Sequence, residues 1–236
     1  LCDPTDYPCR IAGEVRDFDP AEYMDNKESR RMARFSQLAV AAGLTAVKSA
    51  GLDISREDPY RVGVVLGNGN GGFPTLEDNC RVLAERGGMR MTPFFFPMVL
   101  PNMAAANVSR FVGAHGYNAT ATTACASSNQ AIGQALDVIR RGAADVIMGG
   151  GCEAGISQLG LGGFNIIKAL TRQNEPPEKA SRPFDADRDG FVHPRSSEIT
   201  SRGAYLQRRQ WLAGLAAAVI VSPTATAPSS LMRVTR

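Results

Sequence analysis

The sequence predicts an α/β layered domain, and three observations carry that prediction. Short β-branched runs alternate with segments of helical period; the runs are apolar at nearly every position, as strands buried on both faces require; and glycines close the strands where helices follow. The 236 residues are 44% hydrophobic and 21% charged, enough to bury one large core or two small ones and too apolar for disorder over most of the chain.

Taken in order, residues 28–50 place Met32, Phe35, Leu38, Ala42 and Ala46 at spacings of three and four, with Arg30, Arg31 and Arg34 between them and Gly51 as a stop. That pattern reads as one amphipathic helix. RVGVVLG (61–67) is a strand closed by glycine, and LEDNCRVLAERGG (76–88) a helix with a glycine stop. YNATATTA (117–124) then leads as a strand into the helix SSNQAIGQALDVIRRG (127–142), which sets Ile132, Leu136 and Ile139 on one face. ADVIMGGG (144–151) is the next strand.

The formal net charge of +3 is spread along the chain with no basic run, which argues against nucleic acid and leaves an acidic protein partner open. Cysteines 2, 9, 80, 125 and 152 form no C-x-x-C pair and no dense disulfide framework, so free thiols in a reducing compartment are expected, without a metal site. The apolar run 212–221 is too short to span a bilayer and no signal peptide opens the chain, so a soluble, cytoplasmic protein is expected. The first residue is Leu1, and the expectation is that the true start lies upstream.

GNGNGG (67–72) formally satisfies G-x-G-x-x-G after a strand. A dinucleotide site also needs an acidic residue ending a second strand about 20 residues on. The chain runs instead into GGMRMTPFFFPMVLPNMAAA, so the glycines read as a tight turn and no cofactor is expected. Cys125, at the joint between a strand and a helix, is more informative. Free backbone N–H groups and the helix dipole favour a thiolate there, and the same N–H groups could stabilise an oxyanion. On spacing alone, a buried and inert thiol remains the first reading.

The neighbouring residues change that balance. TTACASSNQAIGQA closely resembles the active-site segment of the β-ketoacyl-acyl-carrier-protein synthases, the condensing enzymes of fatty-acid elongation. YPCRIAGEVRDFDPAEYMDNKESRRMARFSQLAVAA, RVGVVLGNGNGG, PFFFPMVLPNMAAANVSRFVGAHGYNATATTAC, GAADVIMGGGCEA and KASRPFDADRDGFV fall in the family's order and spacing. The resemblance is nearest to the type II elongating synthases and weaker to the thiolases, whose cysteine motif differs. It implies a thiolase-like fold, of which residues 1–192 would be the N-terminal half without its opening strand. It also implies Cys125 as the nucleophile that takes an acyl group from acyl carrier protein, with its own N–H as one oxyanion donor. Malonyl-acyl carrier protein would supply the carbanion, and a homodimer would be the working state. Phe95, Phe96, Met98 and Ile156 are assigned to an acyl tunnel from their apolarity and their place in family segments.

The departures are equally specific. The family's H-x-T-x-T-x-x-G-D motif, its later glycine-rich segment with a second histidine, and the lysine between them do not occur in these residues. His115 falls in a turn and fits no catalytic motif, and His193 follows RDGFV where the family continues with a G-E-G-A-G turn. Residues 193–236 match nothing further and are rich in Arg, Ser, Ala, Thr and Pro, so low structure is expected. A reading-frame slip or an incomplete gene near codon 193 is the expected cause, and a divergent tail is the alternative. The chain as written is therefore expected not to condense. Two other identities stay open: a polyketide ketosynthase domain, and a non-catalytic partner resembling a chain-length factor. Cys125 counts against the second.

Overall fold

The computed structural model describes residues 3–194, 217–221 and 232–233. In chain order these form β1 (Ala12–Gly13), α1 (Asn26–Ser29), α2 (Arg34–Ser49), β2 (Val62–Gly67), α3 (Phe73–Arg86), α4 (Phe95–Val99) and α5 (Met103–Val112). There follow β3 (Asn118–Ala121), α6 (Ser127–Arg140), β4 (Val146–Gly151), α7 (Gln158–Ile166), β5 (His193–Pro194), β6 (Ala217–Val221) and β7 (Met232–Arg233).

The main sheet has the order β3-β2-β4-β6-β7. β2 pairs in parallel with both β3 and β4, with Val64 opposite Asn118 and Met148. β6 pairs antiparallel to β4, Val221 opposite Val146. β1 and β5 form a separate parallel pair. Of the tail expected to hold little structure, 193–194, 217–221 and 232–233 are strand, and the rest lies outside the described residues.

β2 and β4 are apolar and buried throughout because helices cover both faces. Val62, Val64, Leu66, Val146 and Met148 join Phe35, Leu38, Val40, Ala104, Ala105 and Val108 of α2 and α5 in one core. Val65 and Ile147 point the other way, onto Ala131, Ala135, Val138 and Ile139 of α6. The period of two along each strand thus divides its side chains between two helical layers. Ile132 and Leu136 are partly buried against the second core, as the helical face predicted.

One expectation is corrected. The single helix read over 28–50 is two helices with a break at 30–33. Met32 and Ala33 are buried in the break, so the apolar spacing continues while the helical backbone does not. Below the sheet, the Arg61 guanidinium pairs with the Asp145 carboxylate and donates to Gly142 O at 3.1 Å, locking the entry of β2 to that of β4. Both strands therefore start level, and both end level, at Gly67 and Gly151.

Candidate active site

Parallel strands that end together place their exit turns on one rim, and Cys125 stands there. The chain leaves β3, makes a short 3₁₀ turn over Ala124–Ala126 and enters α6 at Ser127. Ala124 has φ of +50°, a left-handed conformation that costs an L-residue about 1–2 kcal/mol. The Ser127 hydroxyl holds that turn: its Oγ accepts from Thr123 N at 2.8 Å and donates to Ala124 O at 2.7 Å. The Cys125 thiol is exposed, not buried as spacing alone suggested.

Close approach of α6 to the strand ends depends on two glycines. A Cβ on Gly67 would lie 2.2 Å from Ser127 C, and one on Gly151 1.8 Å from Ser128 Oγ. The first turn of α6 therefore rests directly on the ends of β2 and β4.

Cys125 opens into a cavity of about 480 Å³. One wall is polar: Asn68, Asn70, Ser127, Ser128 and Glu153. The other is Phe164, Phe191, Val192 and His193. Asn68 is almost wholly buried and bridges the strand exits, donating from Nδ2 to Cys152 O at 2.5 Å and accepting from Gly71 N at 2.6 Å. His193 is buried with its ring edge-on to Phe164, centroids 5.0 Å apart. The Asp189 carboxylate folds the loop that delivers Phe191 and His193, accepting from Thr171 Oγ1 at 2.6 Å and Arg172 N at 2.9 Å. Those bonds, the Thr171 hydroxyl first, hold its pKa below the ordinary 3.8.

Glu153 joins the polar wall to the glycine turn. Its Oε2 accepts from Gly69 N and Asn70 N, each at 3.0 Å, and its Oε1 from Ala154 N at 3.2 Å. The N–H groups that a G-x-G turn would offer a phosphate thus already face a carboxylate. Burial pushes the Glu153 carboxyl above its ordinary 4.5, and the three N–H donors oppose the shift without cancelling it. The proton is therefore bound more tightly in the folded chain. This contribution to stability is fully present below pH 4.5 and is lost as pH rises through the elevated folded value. Cys125, Cys152 and His193 share the cavity and are common to both proteins in the comparison that tests this. In thermal melts between pH 4 and 8, Glu153→Gln should gain on the unsubstituted chain as pH rises. Parallel profiles would contradict the assignment.

Of the residues assigned to an acyl tunnel, none lines this cavity. Phe95, Phe96 and Met98 lie on α4, where Phe96 is 69% exposed and Met98 packs on the α2/α5 core. Ile156 is buried beside a separate polar cleft with Glu77 and Gln158. His115 is exposed on a loop, edge-on to Tyr60. Cys152 and Cys9 are buried, Cys80 is exposed, and Cys2 lies outside the described residues. Among the described residues no group of acids, histidines and cysteines could hold a metal, and no helix is long and apolar enough to cross a membrane. Sequence reasoning missed Asn68, Asn70, Glu153, Phe164, Phe191 and His193. Only the rule that parallel strands share an exit rim pointed to the first three.

A layered sheet with parallel β3, β2 and β4 and an exposed thiol on the turn between a strand end and a helix start is the thiolase-like arrangement, the class that solved ketosynthases also adopt. The family model described as β-ketoacyl synthase, N-terminal domain, matches residues 2–194, and the chain belongs to that family. It is 42% identical over 190 residues to 3-oxoacyl-[acyl-carrier-protein] synthase 2 of Vibrio cholerae, covering 80% of this chain and 46% of that protein. The synthase 2 of Staphylococcus aureus is 43% identical over 190 residues, with 80% and 47% covered. Among solved structures, a β-ketoacyl synthase from Burkholderia phymatum superposes with a TM-score of 0.71 at 31% identity, covering 80% of this chain and 46% of that one. The ishigamide ketosynthase/chain length factor gives 0.71 at 29%, with the same coverage. The chain therefore spans about half the length of the curated relatives it matches.

Proposed function

We propose that Cys125 is the acyl acceptor of a 3-oxoacyl-[acyl-carrier-protein] synthase. The observation that carries this is the exposed thiol on the left-handed turn at Ala124, at the mouth of a cavity with one apolar wall. In this reading the Cys125 sulfur attacks the carbonyl of an acyl thioester on acyl carrier protein, and the Cys125 N–H donates to the oxygen as it becomes an oxyanion. The carrier's thiol leaves and takes a proton. Malonyl-acyl carrier protein then loses carbon dioxide, and the resulting enolate carbon attacks the acyl group on Cys125. The cysteine is released, and the product is a 3-oxoacyl chain longer by two carbons. The working form is proposed as a cytoplasmic homodimer.

The second stage needs donors at the enolate oxygen, and such donors are worth on the order of a hundredfold or more each. The histidine motifs that supply them in the family are not among these 236 residues, so the chain by itself is proposed to load but not to condense. The boundary of the synthase half is proposed at residue 192. The curated relatives at 42–43% identity are 3-oxoacyl-[acyl-carrier-protein] synthases, which puts fatty-acid elongation first. The test supplies an acyl thioester and malonyl-acyl carrier protein, following acyl uptake by intact mass and carbon dioxide release together. Uptake without release is expected. No uptake would overturn the first stage, and release at the rate of a complete synthase would overturn the second.

A further inference from the structure

The rim facing Cys125 is held by two clamps, and only one of them lies within the turn itself. Ser127 is the inner clamp, bonded to Thr123 and Ala124 as described. The outer one begins at Glu153, two residues beyond β4. Its Oε2 fixes the amides of Gly69 and Asn70, and Gly69 in turn lies against the turn: a Cβ built on Gly69 would sit 3.0 Å from Glu153 Oε2 and 3.8 Å from both Cα and O of Ala124. A backbone in the left-handed region persists only where its surroundings over-determine it. Ala124 is in that region and sets the direction in which Cys125 leaves the turn.

We infer that Glu153 is a positioning residue for Cys125, acting by pinning the Gly69–Asn70 backbone against Ala124. It touches no reacting atom. The mechanism is hydrogen-bond geometry rather than charge, because an acceptor oxygen suffices for both amides. The functional consequence rests on Cys125 being the acyl acceptor. The mechanical coupling does not, and the two are separable.

Hydrogen exchange followed by mass spectrometry on the full chain reads the coupling directly, in Glu153→Ala and in Glu153→Gln, which keeps an acceptor oxygen. In the alanine variant, peptides spanning 68–71 and 122–127 should both exchange about tenfold faster, while 62–66 and 131–139 stay as they were. The glutamine variant should change less than about threefold at either segment. The same proteins are then compared for acylation by an acyl thioester and alkylation of Cys125 by iodoacetamide. Alanine should lower acylation about tenfold more than alkylation, since thioester attack depends on alignment. Faster exchange at 68–71 alone overturns the coupling, and so does faster exchange throughout the fold, which would mark a general loss of stability. Glutamine falling as far as alanine assigns the effect to charge and also overturns it. If the unsubstituted chain takes iodoacetamide but no acyl group, the acyl-acceptor reading fails, while the exchange result still decides the role of Glu153.

Discussion

Cys125→Ala should abolish acyl uptake from a thioester donor, and Cys125→Ser should lower it by roughly a thousandfold or more, a conservative floor beside the losses seen when other enzymes lose a nucleophile. The serine variant keeps the shape of the turn and replaces the thiol by a hydroxyl, which is a far weaker nucleophile without an adjacent base. Among the described residues no other thiol lines the cavity in a reactive state. Cys152 shares the cavity, but it is buried, its Sγ lies 3.8 Å from Asn68 Nδ2, and burial pushes its pKa well above the ordinary 9.0, so it stays protonated. Cys80 is exposed but sits on α3, away from the cavity lining. Stopped-flow or intact-mass kinetics on the three proteins check the expectation. Uptake by Cys125→Ala at a tenth of the original rate or more would move the acylation site elsewhere.

Gly67→Ala carries the second large effect, because it strikes the contact that seats the nucleophile. The added Cβ would meet Ser127 C at 2.2 Å, Ser127 O at 2.3 Å and Ser128 N at 2.4 Å. These are backbone atoms of the first turn of α6, and no rotamer change relieves them. Ordinary overpacking costs about 1–3 kcal/mol, and immovable neighbours put this variant at about 3 kcal/mol or above. For a chain of this size that is a fall of roughly 6–12 °C in the melting midpoint. Gly133→Ala is the internal control. It lies on the exposed face of the same helix with nothing within 4 Å of its Cβ, so alanine should stabilise by about 0.5–1 kcal/mol through helix propensity. Any chain that survives Gly67→Ala should take up acyl groups more slowly, since α6 must shift and Cys125 with it. Equal midpoints for the two variants would show that the helix does not rest on the strand ends.

Much of this frame was legible in the residues, and the reasons are physical. Val62, Val64, Val65, Val146 and Ile147 announce strands because both faces are buried and β-branched side chains suit a pleated surface. Gly87, with φ of +82°, ends α3 where a helix stop was read. The strand-to-helix joint that carries Cys125 was legible from the switch of period on either side of it. The break between α1 and α2 was not, since Met32 stays in register with the core across it. The cavity walls were also hidden. Asn68 meets Cys152, and Gly69 meets Glu153, only because two strands 84 positions apart in sequence end side by side. Phe191 and His193 reach the site through a loop held by Asp189, whose bonds have no signature in local pattern. Apolarity beside a recognised segment points to Phe95, Phe96, Met98 and Ile156, and none of them lines the cavity at Cys125.

The central claim is that this turn, among all the thiols of the chain, is where an acyl group is taken. Peptide mapping after incubation of the full chain with limiting acyl thioester tests it most directly. The acyl adduct should fall on the peptide carrying Cys125, with Cys80 unmodified although it too is exposed. An adduct on Cys80 or Cys152 in preference to Cys125 would contradict the account.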